Sequence, residues 1–315
     1  MAETASESKD TVAIGRINVL DYNDANTLPQ EQDVIARLRT WPCPTDIAGD
    51  GSEYQSAIGL LLQNGADIRV KDYHGNNIWH HFAIARKRNP GQETEDWQVL
   101  IQRAPDLINT SNNAGETPLL VAMKHPNRLK NIELLIENGA SLHTVDNDGN
   151  NVLHVLMNGG WVVGNHGSVY ENRLSYFKRF VKAGVPINAR NEAGETPIFN
   201  FFRQGPTIYS LCNCEKAKGQ SIYETFTRAG CDWQVVNDKG QNLLHVVAST
   251  MPRLNSKTEV SDTSSMFLTL VEMGLDARLE DASGRTALDI AADLGHEKLL
   301  HVRDTGRQED LSEET

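Results

Sequence analysis

The sequence predicts an all-α solenoid: a stack of helix-turn-helix units joined by short β-hairpin-like finger loops. Three observations predict it. The stretch 131–157 holds one complete unit, with an apolar helical run (Ile132, Leu134, Leu135, Ile136), a stop at Gly139, a turn at Asp148-Gly149 and a new apolar run led by Val152 and Leu153. Stop residues recur at Gly65, Pro105, Gly139, Gly184, Gly230 and Gly274, and turn glycines at Gly75, Gly115, Gly149, Gly194, Gly240 and Gly284, each turn following its stop by 10 residues. Glycine just past an apolar helical run fits a C-terminal cap, and glycine in a tight turn has the same need for positive φ. The fixed interval therefore describes a helix end, an extended arm and a bend, copied six times.

Taken in order, residues 1–26 are rich in Ser, Thr, Asp and Glu at the start and read as a flexible leader. Residues 31–41 and 53–63 read as two helices of an incomplete first unit, about 31–70, that has no hairpin signature. Complete units begin near residues 72, 112, 146, 191, 237 and 281. Thr117-Pro118 and Thr196-Pro197 each place a hydroxyl at a helix N-cap and a proline at the first helical position, where its missing N–H costs nothing. After Gly284 the pattern gives a final helix pair, whose outer face carries Asp293, Glu297 and Lys298. The tail 304–315 sets five acids against Arg307 and is expected to be disordered.

The segments GETPLLVA (115–122), GNNVLHVL (149–156), GETPIFNF (194–201), GQNLLHVV (240–247) and GRTALDIA (284–291) resemble the G-x-T-P-L-H-x-A signature of ankyrin repeats. The resemblance covers roughly residues 31–303, within an array bounded at 27–303. It implies that His80, His154 and His245 bond locally and link adjacent loops, and that Trp79, at the signature leucine position, belongs to the core. From each turn glycine to the next stop the chain spends 30, 24, 35, 36 and 34 residues. A family repeat would leave about 23. The excess falls between the two helices of a repeat, and the inserts are expected to line one edge as a ledge.

The resemblance also implies a partner surface on the finger tips and inner-helix ends. Its candidate residues are Tyr73, His74, Glu116, Asp148, Glu192, Glu195, Asp238 and Arg285, with Lys124 and Arg203 at helix ends. The acids make the middle of this groove weakly acidic, which favours a basic segment in the partner. Trp161, Tyr170 and Tyr209 in the inserts are candidate anchors of a second surface, since Trp and Tyr dominate interface energetics.

Composition narrows the function. Lys plus Arg number 30 against 42 for Asp plus Glu, a net charge of −12, and no basic cluster has the density of a phosphate-binding face. Four cysteines in 315 residues do not make a disulfide framework, which points to a reducing compartment, cytoplasm or nucleus. No apolar run reaches membrane-spanning length.

Catalytic and metal readings fail on spacing. His296 and His301 are five apart, about 140° around a helix, so they cannot share one metal from it. Cys212 and Cys214 with Cys231 lack a fourth ligand, and the glycine-rich stretch 159–167 lacks the Lys-Ser/Thr of a phosphate loop. The expectation is a protein-binding scaffold with no catalytic residues, no metal and no cofactor. Two other roles stay open: an adaptor or regulatory subunit of a ubiquitin ligase or kinase complex, and a nuclear chromatin-associated reader.

Overall fold

The computed structural model describes residues 67–84, 92–125, 129–158, 168–203, 222–250 and 266–295, without the side chains of 92–96 and 168–171. The predicted leader, the incomplete first unit apart from residues 67–70, and the acidic tail lie outside the described residues, as does most of the inserted sequence.

Six fingers, at 72–76, 112–116, 146–150, 191–195, 237–241 and 281–285, divide the chain into repeats. Each is followed by a short inner helix: α1 (Ile78–Ile84), α3 (Pro118–Met123), α5 (Val152–Met157), α7 (Pro197–Arg203), α9 (Leu243–Thr250) and α11 (Ala287–Asp293). Between them run outer helices α2 (Gln92–Arg103), α4 (Leu129–Glu137), α6 (Ser168–Lys182), α8 (Ile222–Arg228) and α10 (266–272). The inner helices pack in sequence, α1 on α3, α3 on α5, α5 on α7, α7 on α9 and α9 on α11, which is the continuous one-dimensional stack of a solenoid.

The inner helices are too short to persist alone. α3 and α5 have only six residues each, below the length at which propagation offsets the cost of nucleation. Their sequences solve this by being apolar all round. In α7, Pro197, Ile198, Phe199, Phe201 and Phe202 are all buried, because neighbours cover the helix on every side but its end. Phe226 of α8 meets Phe201 at 5.3 Å and Phe177 of α6 at 4.8 Å between ring centroids, joining two repeats through one aromatic cluster. Trp79 is fully buried, and its indole N–H donates to the Ala104 carbonyl at 2.7 Å, so this large polar-edged ring is accommodated without an orphan donor.

Two details depart from the sequence reading. Pro105 is not a helix-stop residue of the glycine kind: α2 ends at Arg103, and Pro105 opens a single 3₁₀ turn, Pro105–Asn109, where its ring fits the first position. The insert between α5 and α6 is shorter than the 35-residue interval suggested, because residues 168–173 form the opening turns of α6. Among the described residues the fingers contain no strand; the one bridge is Glu280 with Thr286. No helix among the described residues is long and apolar enough to cross a membrane.

Two of the repeated glycines, one at a helix end and one in a finger, carry different loads. Gly139, at the end of α4, has φ of 90° and nothing within 4 Å of where a Cβ would stand. Gly115, in the second finger, has φ of 77°, and a Cβ there would lie 2.3 Å from Asn147 Oδ1 and 2.5 Å from the Asn147 backbone nitrogen of the next finger. Gly139→Ala should therefore cost only the backbone term, about 1 kcal/mol, and Gly115→Ala about 3 kcal/mol or more, compared by urea denaturation of the full chain.

Candidate partner-binding surface

Each finger is organised by one side chain that the sequence reading did not single out. An Asp or Asn stands three residues before every turn glycine: Asp72, Asn112, Asp146, Asn191, Asn237 and Asp281. In all six, its Oδ1 accepts from the backbone N–H groups two and four residues on, at 2.8–3.1 Å. A short acceptor side chain that reaches its own following backbone is what tightens such a turn. At Asp281 the Ser283 hydroxyl joins the turn amides, holding the carboxyl well below the usual carboxylate range.

One backbone hydrogen bond then joins each finger to the next. The amides of Asn113, Asn147, Glu192, Asp238 and Ala282 donate to the carbonyls of His74, Ala114, Asp148, Ala193 and Lys239, at 3.0, 3.0, 2.8, 3.1 and 2.8 Å. Side-chain amides reinforce the ladder, with Asn113 Nδ2 donating to the Tyr73 carbonyl at 3.1 Å and Asn147 Nδ2 to the Asn113 carbonyl at 3.0 Å. The finger tips are held in register by bonds that leave their side chains outward.

The helix starts beside the fingers use two devices. Thr117 accepts from the Leu120 amide, and Thr286 forms a reciprocal cap with Asp289. The other device is Asn-x-x-His. The backbone amides of Asn77, Asn151 and Asn242 donate to Nδ1 of His80, His154 and His245 at 3.1, 3.2 and 3.3 Å, while Nε2 donates to the Glu116, Glu195 and Arg285 carbonyls of the next finger at 2.9, 3.0 and 3.1 Å. A carbonyl only accepts, so each ring carries a proton on Nε2, and Nδ1 also stands 2.9, 2.8 and 2.7 Å from the Oδ1 of Asn77, Asn151 and Asn242. Burial is the main cause that lowers the basicity of all three rings. These histidines bond locally and link adjacent loops.

Sequence comparison shows what this architecture is similar to. No family model matches the chain. The chain is 24% identical over 193 residues to the phosphocholine transferase AnkX of Legionella pneumophila, covering 61% of this chain and 19% of that protein. It is 23% identical over 156 residues to ankyrin repeat protein OPG189 of Variola virus, covering 49% and 25%, and 26% identical over 186 residues to human Rabankyrin-5, covering 59% and 13%. The chain is similar in sequence to ankyrin-repeat proteins, and its described residues form an all-α solenoid consistent with that likeness. It spans a quarter or less of the length of each of these relatives.

On the fingers, the candidate residues divide by exposure. Tyr73 is 77% exposed at the first tip, its ring edge-on to His74 at 5.7 Å, and His74 is exposed with it. Asp148, Glu192, Asp238 and Arg285 are exposed on the later fingers; Asp238 is paired with Arg190 at 3.3 Å. Glu116 and Glu195 sit differently. They turn inward, where Glu116 pairs with Lys124 and accepts from Asn112 Nδ2 at 3.2 Å, and Glu195 pairs with Arg203 and accepts from Asn237 Nδ2 at 3.2 Å. The Glu195 residue is only 5% exposed.

Both pairs tie the turn glycine's neighbour to the end of the same repeat's inner helix. Their signal was present in the sequence as a shared spacing of eight, Glu116 to Lys124 and Glu195 to Arg203. Trp161 and Tyr209 lie outside the described residues, and Tyr170 is placed only as part of α6. Among the described residues no group of three His, Cys, Asp or Glu side chains is placed to hold a metal ion. The buried Cys231 thiol is pushed up to about 12 by burial, so it is not a ready nucleophile.

Arg203→Ala should therefore be costly, about 2 kcal/mol, because it strips a buried carboxylate of its cation. Arg179→Ala, at the exposed Arg179–Glu133 pair of α6 and α4, should change stability by less than about 0.5 kcal/mol. Paired urea denaturation curves of the two variants test the contrast.

Proposed function

We propose that the array is a non-catalytic protein-binding scaffold, acting in the cytoplasm or nucleus, whose groove of finger tips and inner-helix ends takes a basic segment of a partner protein. The observation that carries this reading is the division just described. Inward acids are neutralised by their own repeats, whereas Asp148, Glu192 and Asp238 stand exposed on three successive fingers that backbone hydrogen bonds hold in register, Asp238 alone of the three sharing its charge with the exposed Arg190. Fixed, outward carboxylates favour Lys and Arg through steering and charge-assisted bonds. Tyr73, an exposed aromatic at the first tip, supplies an amphipathic contact of the kind that anchors interfaces.

Ankyrin-repeat relatives support protein partners as the class of ligand. The matched region is 19% of the transferase named among the relatives, so the likeness gives no ground for assigning that activity to this array.

Binding of the full chain to Lys/Arg-rich peptides, measured by fluorescence anisotropy against neutral peptides of the same length, tests the proposal. Affinity should fall as salt rises, and the variant Asp148→Asn with Glu192→Gln and Asp238→Asn should bind about tenfold more weakly. Equal binding of basic and neutral peptides, or an unaffected triple variant, would defeat the reading.

A further inference from the structure

On α6, Arg173, Tyr176, Phe177 and Phe180 are all buried, at the spacing of a core-facing helical stripe. The last three are aromatic and belong there. The first is a cation, only 3% exposed, whose place on the stripe brings it to the end of α5, where Nη1 donates to the Leu156 carbonyl at 2.5 Å. Carbonyls in the last turn of a helix lack an intrahelical donor, and Arg173 supplies one. Such a cap needs a single neutral donor, whereas an arginine brings several N–H groups and a charge.

Neither surplus is met among the described residues. Nε is buried and has no acceptor. No described carboxylate pairs with the guanidinium, and burial pushes it down to about 10. Elsewhere in the array charges are matched: the buried Glu195 has Arg203, and even the exposed Arg179 on the same helix has Glu133. The neighbouring sequence supplies no acid. Residues 158–170 hold neither Asp nor Glu, and Glu171, two positions before Arg173, leaves the helix about 200° away around its axis. A chain with 42 Asp plus Glu against 30 Lys plus Arg does not lack carboxylates, yet none is placed here.

We propose that Arg173 is the floor of an anion site at the junction of α5 and α6, where its Nε edge takes a carboxylate from outside this chain. The Leu156 carbonyl holds Nη1 and so orients the guanidinium. The edge that carries Nε is the one that receives a carboxylate side-on, through two parallel N–H···O bonds. A buried charge is costly until it is paired, so a carboxylate that reaches Arg173 gains those bonds and removes that cost together. The site is separate from the finger tips and takes a ligand of the opposite sign, so it stands whether or not the groove binds basic segments.

Urea denaturation of the full chain in acetate and in chloride, at equal ionic strength, tests the site. The midpoint of the unaltered chain should rise with acetate and saturate, as linkage requires of a ligand that binds only the folded state. Arg173→Met, which fills the stripe without the charge or Nε, should lack the saturating rise. Arg173→Lys keeps the charge and a donor for the Leu156 carbonyl, and should need at least about tenfold more acetate for half-saturation, because an ammonium has no side-on edge. A blocked peptide with one Glu, titrated against its Gln counterpart, separates the sources of the carboxylate. A rise with the Glu peptide alone of the two assigns the site to an acidic side chain of a partner, and a rise with acetate but neither peptide assigns it to a small free carboxylate. An equal rise in the unaltered chain and Arg173→Lys is a general salt effect and overturns the proposal, as does the absence of a saturating rise with both acetate and the Glu peptide.

Discussion

The single constraint on which the array depends is the finger turn closed by an Asx side chain. It fixes where each finger's tip carbonyl and the following amide point, and so allows each finger to bond to the next by one backbone hydrogen bond. That bond sets the spacing at which the inner helices meet. Helices of six to eight residues could not persist without such neighbours. Order in the array is thus passed from turn to turn before it is passed from helix to helix, and burial of the inner helices makes the passing favourable.

The same arrangement separates stability from recognition. Several polar groups that face the stack are drawn into it: Glu116 and Glu195 by the cations at the ends of their own inner helices, His80, His154 and His245 by the carbonyls of the next finger. What remains outward are tip side chains that the turn itself does not use, Tyr73, His74, Asp148, Glu192 and Asp238 among them. Such positions vary freely without disturbing the ladder, which is the physical basis for reading them as the partner surface.

Much of the fold was legible because its signals are local. The positive φ of the turn glycines follows from the 10-residue beat, and Trp79 in the core follows from its place in the repeat signature. The candidate surface was less legible. Exposure depends on which way a side chain turns, and Glu195 was read beside Asp148 as an outward acid although it is buried. Pro105 was read as equivalent to a glycine stop because both end a helix, but proline does so by lacking an N–H and glycine by accepting positive φ, and only the latter needs a left-handed residue.

The sequence by itself determined that this protein repeats, where each repeat bends, and which residues start each helix, since glycine, proline, Asx and Thr impose those choices through their own backbone preferences. Only the tertiary structure decided the pairing of Glu116 with Lys124 and of Glu195 with Arg203, and which carbonyl of the next finger each histidine meets. Those depend on the distance between groups brought together by stacking, a quantity that no single repeat contains.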